Sequence, residues 1–252
     1  MRYHIDTIPV WDAMKLGCEC PMCALRAQVE AIDVDRCLGG SVMEPDARIE
    51  VNRKGFCGRH HALLYAQQNR LGHALMTHTH LKETDEKAVG ILENAEKNLR
   101  REKGLKAIKA KGENRSVLTV AAEELEKLIS TCIICDSIRE NMGRYAYTFL
   151  HLYASDSSFR KAFEGSKGLC YRDAALLLRM AGECLSAEQQ ADFAAELLRL
   201  TAENSRRVEE ELEWFTLKFD YRNADKPWNN SRDALERAAE RLRGRCIGET
   251  KK

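Results

Sequence analysis

The sequence predicts an all-α protein, and three observations carry that prediction. The four prolines are Pro9, Pro21, Pro45 and Pro227, which leaves about 180 residues mid-chain without the commonest helix breaker. Apolar residues recur at intervals of three and four, the period of a helix with one buried face. Alternation bounded by turn signals is absent, apart from a short stretch at Arg48 to Val51.

Each element follows from a local signal. The apolar run Ala62-Leu63-Leu64, close behind Gly55-Phe56-Cys57, marks a helix starting near that cysteine. Residues 82 to 111, rich in Lys, Glu, Ala and Leu, form a second helix, and Ala121 to Ile129 and Ala174 to Met180 read as buried helical segments. At Ser186-Ala187-Glu188-Gln189 a capping box opens a long C-terminal amphipathic helix. Phe193, Leu197, Leu200, Val208, Leu212, Phe215 and Phe219 line its apolar face, and the helix ends before the aromatic tail Phe219-Asp220-Tyr221-Arg222. Ser41 to Asn52, with Glu44, Asp46, Arg48, Glu50 and Asn52, reads as a polar loop able to line a binding site.

Lys111-Gly112-Glu113-Asn114 interrupts a charged helix and divides the chain into halves, residues 1–112 and 113–252. The halves are similar to one another. The first carries Cys20-Pro21-Met22-Cys23 and then Lys54-Gly55-Phe56-Cys57-Gly58-Arg59-His60. The second carries Cys132-Ile133-Ile134-Cys135 and then Lys167-Gly168-Leu169-Cys170-Tyr171-Arg172-Asp173. From the second cysteine to the third is 34 residues in one half and 35 in the other, so the chain reads as two tandem, diverged copies of a metal-binding helical unit.

Two ligands separated by two residues reach one tetrahedral ion from a tight turn. Taken half by half, Cys20, Cys23, Cys57 and His60 complete a set of three cysteines and one histidine; His61 is the neighbouring substitute. Cys132, Cys135, Cys170 and Asp173 form a degenerate set in which a carboxylate replaces the imidazole. That second set reads as a zinc site, a site with an open position, or a relic without metal. Zinc is the expected ion at both, and an iron–sulfur cluster is the rival. Buried free thiols would account for the cysteines but not for their pairing or duplication.

The remaining cysteines and histidines give weaker signals. Cys18 is either a spare thiol or one activated by a neighbouring ion. Cys37 and Cys184 read as core residues and Cys246 as exposed. His73 and His80 lie two helical turns apart, too far to chelate one ion unaided, with His78 between them.

Composition narrows the function. With 40 Lys+Arg against 39 Asp+Glu, the net charge of +1 offers no field for nucleic acid or an anionic membrane. The basic stretches Lys97 to Lys111 and Arg232 to Arg245 are mixed with Glu and read as solvated helix faces. No run of 18 apolar residues exists, and the opening Met1-Arg2-Tyr3-His4-Ile5-Asp6 lacks a signal peptide's apolar core, so the expectation is a cytoplasmic protein. Ten cysteines in a reducing compartment point to metal ligands or redox thiols.

With these motifs in view, the chain resembles an uncharacterised bacterial family, domain of unknown function 6062. The likeness rests on Tyr3-His4-Ile5-Asp6-Thr7-Ile8-Pro9-Val10-Trp11-Asp12-Ala13, the Cys20-Pro21-Met22-Cys23 turn, Met43-Glu44-Pro45-Asp46, Gly55-Phe56-Cys57-Gly58-Arg59-His60, Lys218-Phe219-Asp220-Tyr221-Arg222 and Pro227-Trp228. The resemblance implies a soluble helical bacterial protein with metal-binding cysteines and brings no activity. The expected function is a structural or adaptor zinc protein whose partner is another protein, a second copy of the chain, or a small molecule. The alternatives are a thiol or iron–sulfur redox protein and, third, a zinc hydrolase with Asp173 or Glu44 as base.

Overall fold

A computed structural model describes residues 6–104 and 116–246. Among them are eleven α-helices, two 3-10 helices and no strand. In order these are α1 (Thr7–Lys15), α2 (Pro21–Leu38), the 3-10 turn Gly40–Met43, α3 (Pro45–Lys54), α4 (Gly58–Ala66), α5 (Arg70–Gly104), α6 (Val117–Ile129), α7 (Ile133–Ser155), α8 (Ser157–Glu164), α9 (Tyr171–Cys184), α10 (Ala187–Leu217), the 3-10 turn Tyr221–Asn223 and α11 (Ala234–Arg243). Among the described residues, no helix is long and apolar enough to cross a membrane. The break expected at Gly112 lies outside the described residues.

The chain divides into two compact units, one of Met1–Val29 with Ile138–Lys252 and the other of Glu30–Ser137. The division falls inside two continuous helices, within α2 after Val29 and within α7 after Ser137.

The first unit is built on aromatic packing. Phe149 of α7 meets Phe159 and Phe163 of α8 edge to face, with ring centroids 5.0 and 5.2 Å apart, and Phe193 of α10 stacks on Phe163. All four rings are fully buried, and edge-to-face pairs add a modest gain of about 1 kcal/mol to the burial itself. Asp156 caps α8 by accepting from the amides of Ser158 and Phe159. The Ser186 capping box forms with both of its hydrogen bonds and opens α10, which α11 follows. Buried Arg241 of α11 donates to the Thr201 carbonyl and the Ser205 hydroxyl of α10, each at 2.9 Å.

The second unit packs α3, α4 and α6 along α5, with Val51, Leu64 and Met76 buried. The polar segment expected to be a loop is instead the 3-10 turn and α3, and the short alternation at Arg48 to Val51 lies inside that helix. Pro45 supplies a ready-made φ for the first helical turn, which is why a sequence this polar still forms a helix. Gly55 ends it at φ +62°, where the His80 ring occupies the space a Cβ would need.

Candidate metal centres

Four ligand pairs share one local design. Cys20, Cys57, Cys132 and Cys170 each immediately precede a helix, α2, α4, α7 and α9, and the partner ligand is the third residue of that helix. The residue before a helix and the third residue inside it face one another across the first turn, as in a side-chain cap. At α9 this contact is direct: the Asp173 amide donates to the Cys170 sulfur at 3.4 Å. The helix N-terminus also favours negative charge, which suits thiolates.

The pairs assemble crosswise. One cluster joins Cys57 and His60 to Cys132 and Cys135, and the other joins Cys20 and Cys23 to Cys170 and Asp173. Each cluster lies within one unit, and its four ligand atoms lie within 4.8 Å of one another. The eight residues are those expected, but the sequence-based grouping of Cys20 and Cys23 with Cys57 and His60, and of Cys132 and Cys135 with Cys170 and Asp173, is not formed. The reason is helix length. Beyond Cys23 the remaining 15 residues of α2 advance the chain about 22 Å. The 10 residues of α3 span only about 15 Å before Cys57.

In the cluster of the second unit, the His60 Nδ1 lies 3.2 Å from both Cys57 and Cys132 sulfurs and 3.4 Å from that of Cys135. Cys57 and Cys135 are 3.7 Å apart. A tetrahedron with metal–sulfur bonds of about 2.3 Å has sulfur–sulfur edges of about 3.8 Å, so the spacing fits a single ion. Nε2, on the far side of the ring, meets Glu30 at 3.0 Å, and Arg59 grips the same carboxylate with two bonds of 2.7 Å. This is the carboxylate–histidine arrangement that fixes a metal-binding ring. Backbone contacts also tie the two turns: the Ile133 amide donates to the Gly55 carbonyl at 3.1 Å, and the Thr131 hydroxyl to the Lys54 carbonyl at 2.7 Å.

In the cluster of the first unit, the Asp173 Oδ2 stands 3.7, 3.4 and 3.3 Å from the sulfurs of Cys20, Cys23 and Cys170. Cys23 and Cys170 are 3.6 Å apart, again a tetrahedral edge. The other oxygen, Oδ1, is held by Arg26 at 2.5 Å, with Arg172 at 3.5 Å. The Cys23 sulfur also accepts from the Arg172 guanidinium at 3.7 Å and the Arg245 amide at 3.4 Å. All four ligand residues are buried.

The thiols share their protons unevenly. Burial raises Cys132, but hydrogen bonds from His60 and from the Cys135 and Cys57 amides outweigh it and bring the thiol down to about 6. Burial pushes Cys135 up to about 12, with the Cys132 charge adding to it. His60 is opposed by burial yet raised to about 10 by its bonds to Cys132 and Glu30. Burial raises Glu30 too, and Arg59 and His60 overcome it, leaving the carboxyl at about 2. In the other cluster, bonds from Cys20 and Cys23 draw Cys170 down to about 4, while burial lifts Cys20 well above its ordinary value. Both clusters can therefore present thiolates to a cation.

Several residues lie outside the clusters. Cys18 is half-buried, and burial raises its thiol instead of activating it. Cys37 is buried and Cys246 exposed. Cys184, expected in the core, is exposed and bonds the Met180 carbonyl at 3.0 Å, a contact within its own helix that needs no burial. His73 meets His61 at 2.9 Å, and His80 bonds the Asn52 carbonyl at 2.8 Å.

The sequence reading missed Glu30 and Arg26, for which it held no signal. Arg59 and Arg172 did have one, since they occupy the same place in the two repeated motifs. So did the lysines before the glycines: Lys54 pairs with Asp136, just after Cys135, at 2.7 Å, and Lys167 with Glu19, just before Cys20, at 3.3 Å. No curated protein and no solved structure matches the chain. The profile of a family of unknown function, DUF6062, matches residues 1–249.

Proposed function

The chain belongs to this family of unknown function, and from that premise we propose that it is a structural zinc protein made of a duplicated helical unit whose copies exchange ligands. One ion is held by Cys57, His60, Cys132 and Cys135, and another by Cys20, Cys23, Cys170 and Asp173. The observation that carries the reading is the presence of two closed sets of four ligand atoms, each within 4.8 Å. Side chains fill every tetrahedral corner, and closed coordination is the mark of structural zinc, whereas catalytic zinc keeps a position for water. The same compactness favours one ion over an iron–sulfur cluster, whose ligands are spread over several irons.

Zinc in such sites supplies about 10–16 kcal/mol of apparent binding free energy at neutral pH, as much as a whole domain's net stability. Each ion would bind one copy's CxxC turn to the other copy's CxR turn. The helical chain then serves as an adaptor or binding module in the cytoplasm. The test is elemental analysis of protein purified without added metal. Two zinc ions per chain are expected; iron with sulfide, or no metal, sinks the reading.

A further inference from the structure

The two clusters differ in how far solvent can reach them. In the Asp173 cluster all four ligands are buried, whereas in the His60 cluster Cys57 and Cys135 are half-buried and only His60 and Cys132 are enclosed. The sulfurs of these two less buried residues are also close neighbours, 3.7 Å apart. They come from separate turns, the residue preceding α4 and the third residue of α7. A disulfide bond is about 2.05 Å long, so bonding requires the two sulfurs to move less than 2 Å together.

We propose that Cys57 and Cys135 form an oxidative modification site that a peroxide converts to a disulfide with release of the ion. The inference rests on the zinc reading above. The thiolate of Cys57 or Cys135 attacks a peroxide oxygen and the O–O bond breaks; a sulfenic acid forms and hydroxide leaves. The other thiolate attacks that sulfur, the S–O bond breaks, and a second hydroxide leaves. Two thiolates give up two electrons to hydrogen peroxide, and two protons complete two waters. The ion keeps only Cys132 and His60, which do not make a structural zinc site. Cys132 is the poorer partner because it is enclosed.

The experiment treats the full-length, metal-loaded protein with hydrogen peroxide, follows zinc with a chromogenic chelator and maps cross-linked peptides by mass spectrometry. One of two ions is expected to leave, about tenfold faster than the other, because thiolate oxidation follows exposure. A peptide linking Cys57 to Cys135 appears with it, and dithiothreitol plus zinc restores the starting state. Release of both ions together, retention of both, or a Cys132–Cys135 linkage in place of Cys57–Cys135 overturns the proposal. If the protein carries no metal before treatment, the zinc reading and the release fall together. The cross-link then decides alone: a Cys57–Cys135 bond sustains the modification site, and its absence removes it.

Discussion

The two clusters share a plan and differ at one corner, and that difference reaches into their surroundings. With a dication bound, three thiolates and a neutral imidazole leave one negative charge at the His60 cluster, while three thiolates and a carboxylate leave two at the Asp173 cluster. Their neighbours match this contrast. Around His60, the outer groups Glu30 and Arg59 cancel one another. Around Asp173, Arg26 and Arg172 both face the carboxylate, and Glu240 is bonded to the neighbouring Cys23. The carboxylate that stands in place of the imidazole therefore has two cations directed at its charge.

The largest expected effect tests whether the clusters are independent and crosswise. Replacing Cys20 and Cys170 with Ser together removes ligands from one cluster, so one zinc remains. Replacing Cys20 and Cys57 together damages both, and no zinc remains, with a loss on the order of 10 kcal/mol of apparent binding free energy per ion. Metal content of the two double variants distinguishes the groupings. The reverse result would restore the half-by-half arrangement.

A smaller effect sharpens the charge argument. Asp173→His places an imidazole between Arg26 and Arg172 and leaves a guanidinium without its carboxylate; breaking a buried pair in this way costs about 3–5 kcal/mol. Adding Arg26→Met should recover part of that cost. Chemical denaturation of the wild type, both single variants and the double variant gives the coupling. Simple additivity would mean that Arg26 does not answer to Asp173.

Much of this was legible in the sequence, for reasons that can be named. All eight candidate ligand residues announce themselves because pairs two residues apart, repeated at spacings of 34 and 35, leave a pattern that packing does not produce. The capping box at Ser186 is likewise local, and local geometry sets the start of α10. What the sequence withheld is the partnership between pairs. Residue spacing counts chain length, whereas reach depends on how much of that length is rigid helix, and α2 and α7 take 18 and 23 residues. Glu30 was hidden for a related reason. It sits mid-helix with no motif around it, and only the position of His60 gives it a role.

Acidity separates the clusters again. In the metal-free protein His60 holds its proton up to about 10 and Cys135 up to about 12, so at pH 7 both must release protons as zinc binds. Protons therefore compete with the ion, and lowering the pH weakens binding at this cluster by about tenfold per unit for each proton released. The Asp173 cluster lacks the imidazole proton, and Cys170, brought down to about 4, is already a thiolate. Its slope is expected to be shallower. Chelator competition between pH 6 and 8 measures both, and equal slopes would count against the assignment.

The mildest perturbation leaves all eight ligands in place. Glu30→Gln keeps an oxygen able to accept from the His60 Nε2 but removes the charge that orients and polarises the ring, and it leaves Arg59 without its two-bond partner. Partners of this kind typically contribute 10–100-fold in metal affinity, so a weakening of about that size is expected at the His60 cluster. The other cluster should not respond, because its ligand answers to Arg26 and Arg172. Zinc titration against a chelator resolves the two affinities in one protein. A uniform loss at both clusters would mean that Glu30 supports the fold in general, and an unchanged His60 cluster would mean that the imidazole is held by packing alone.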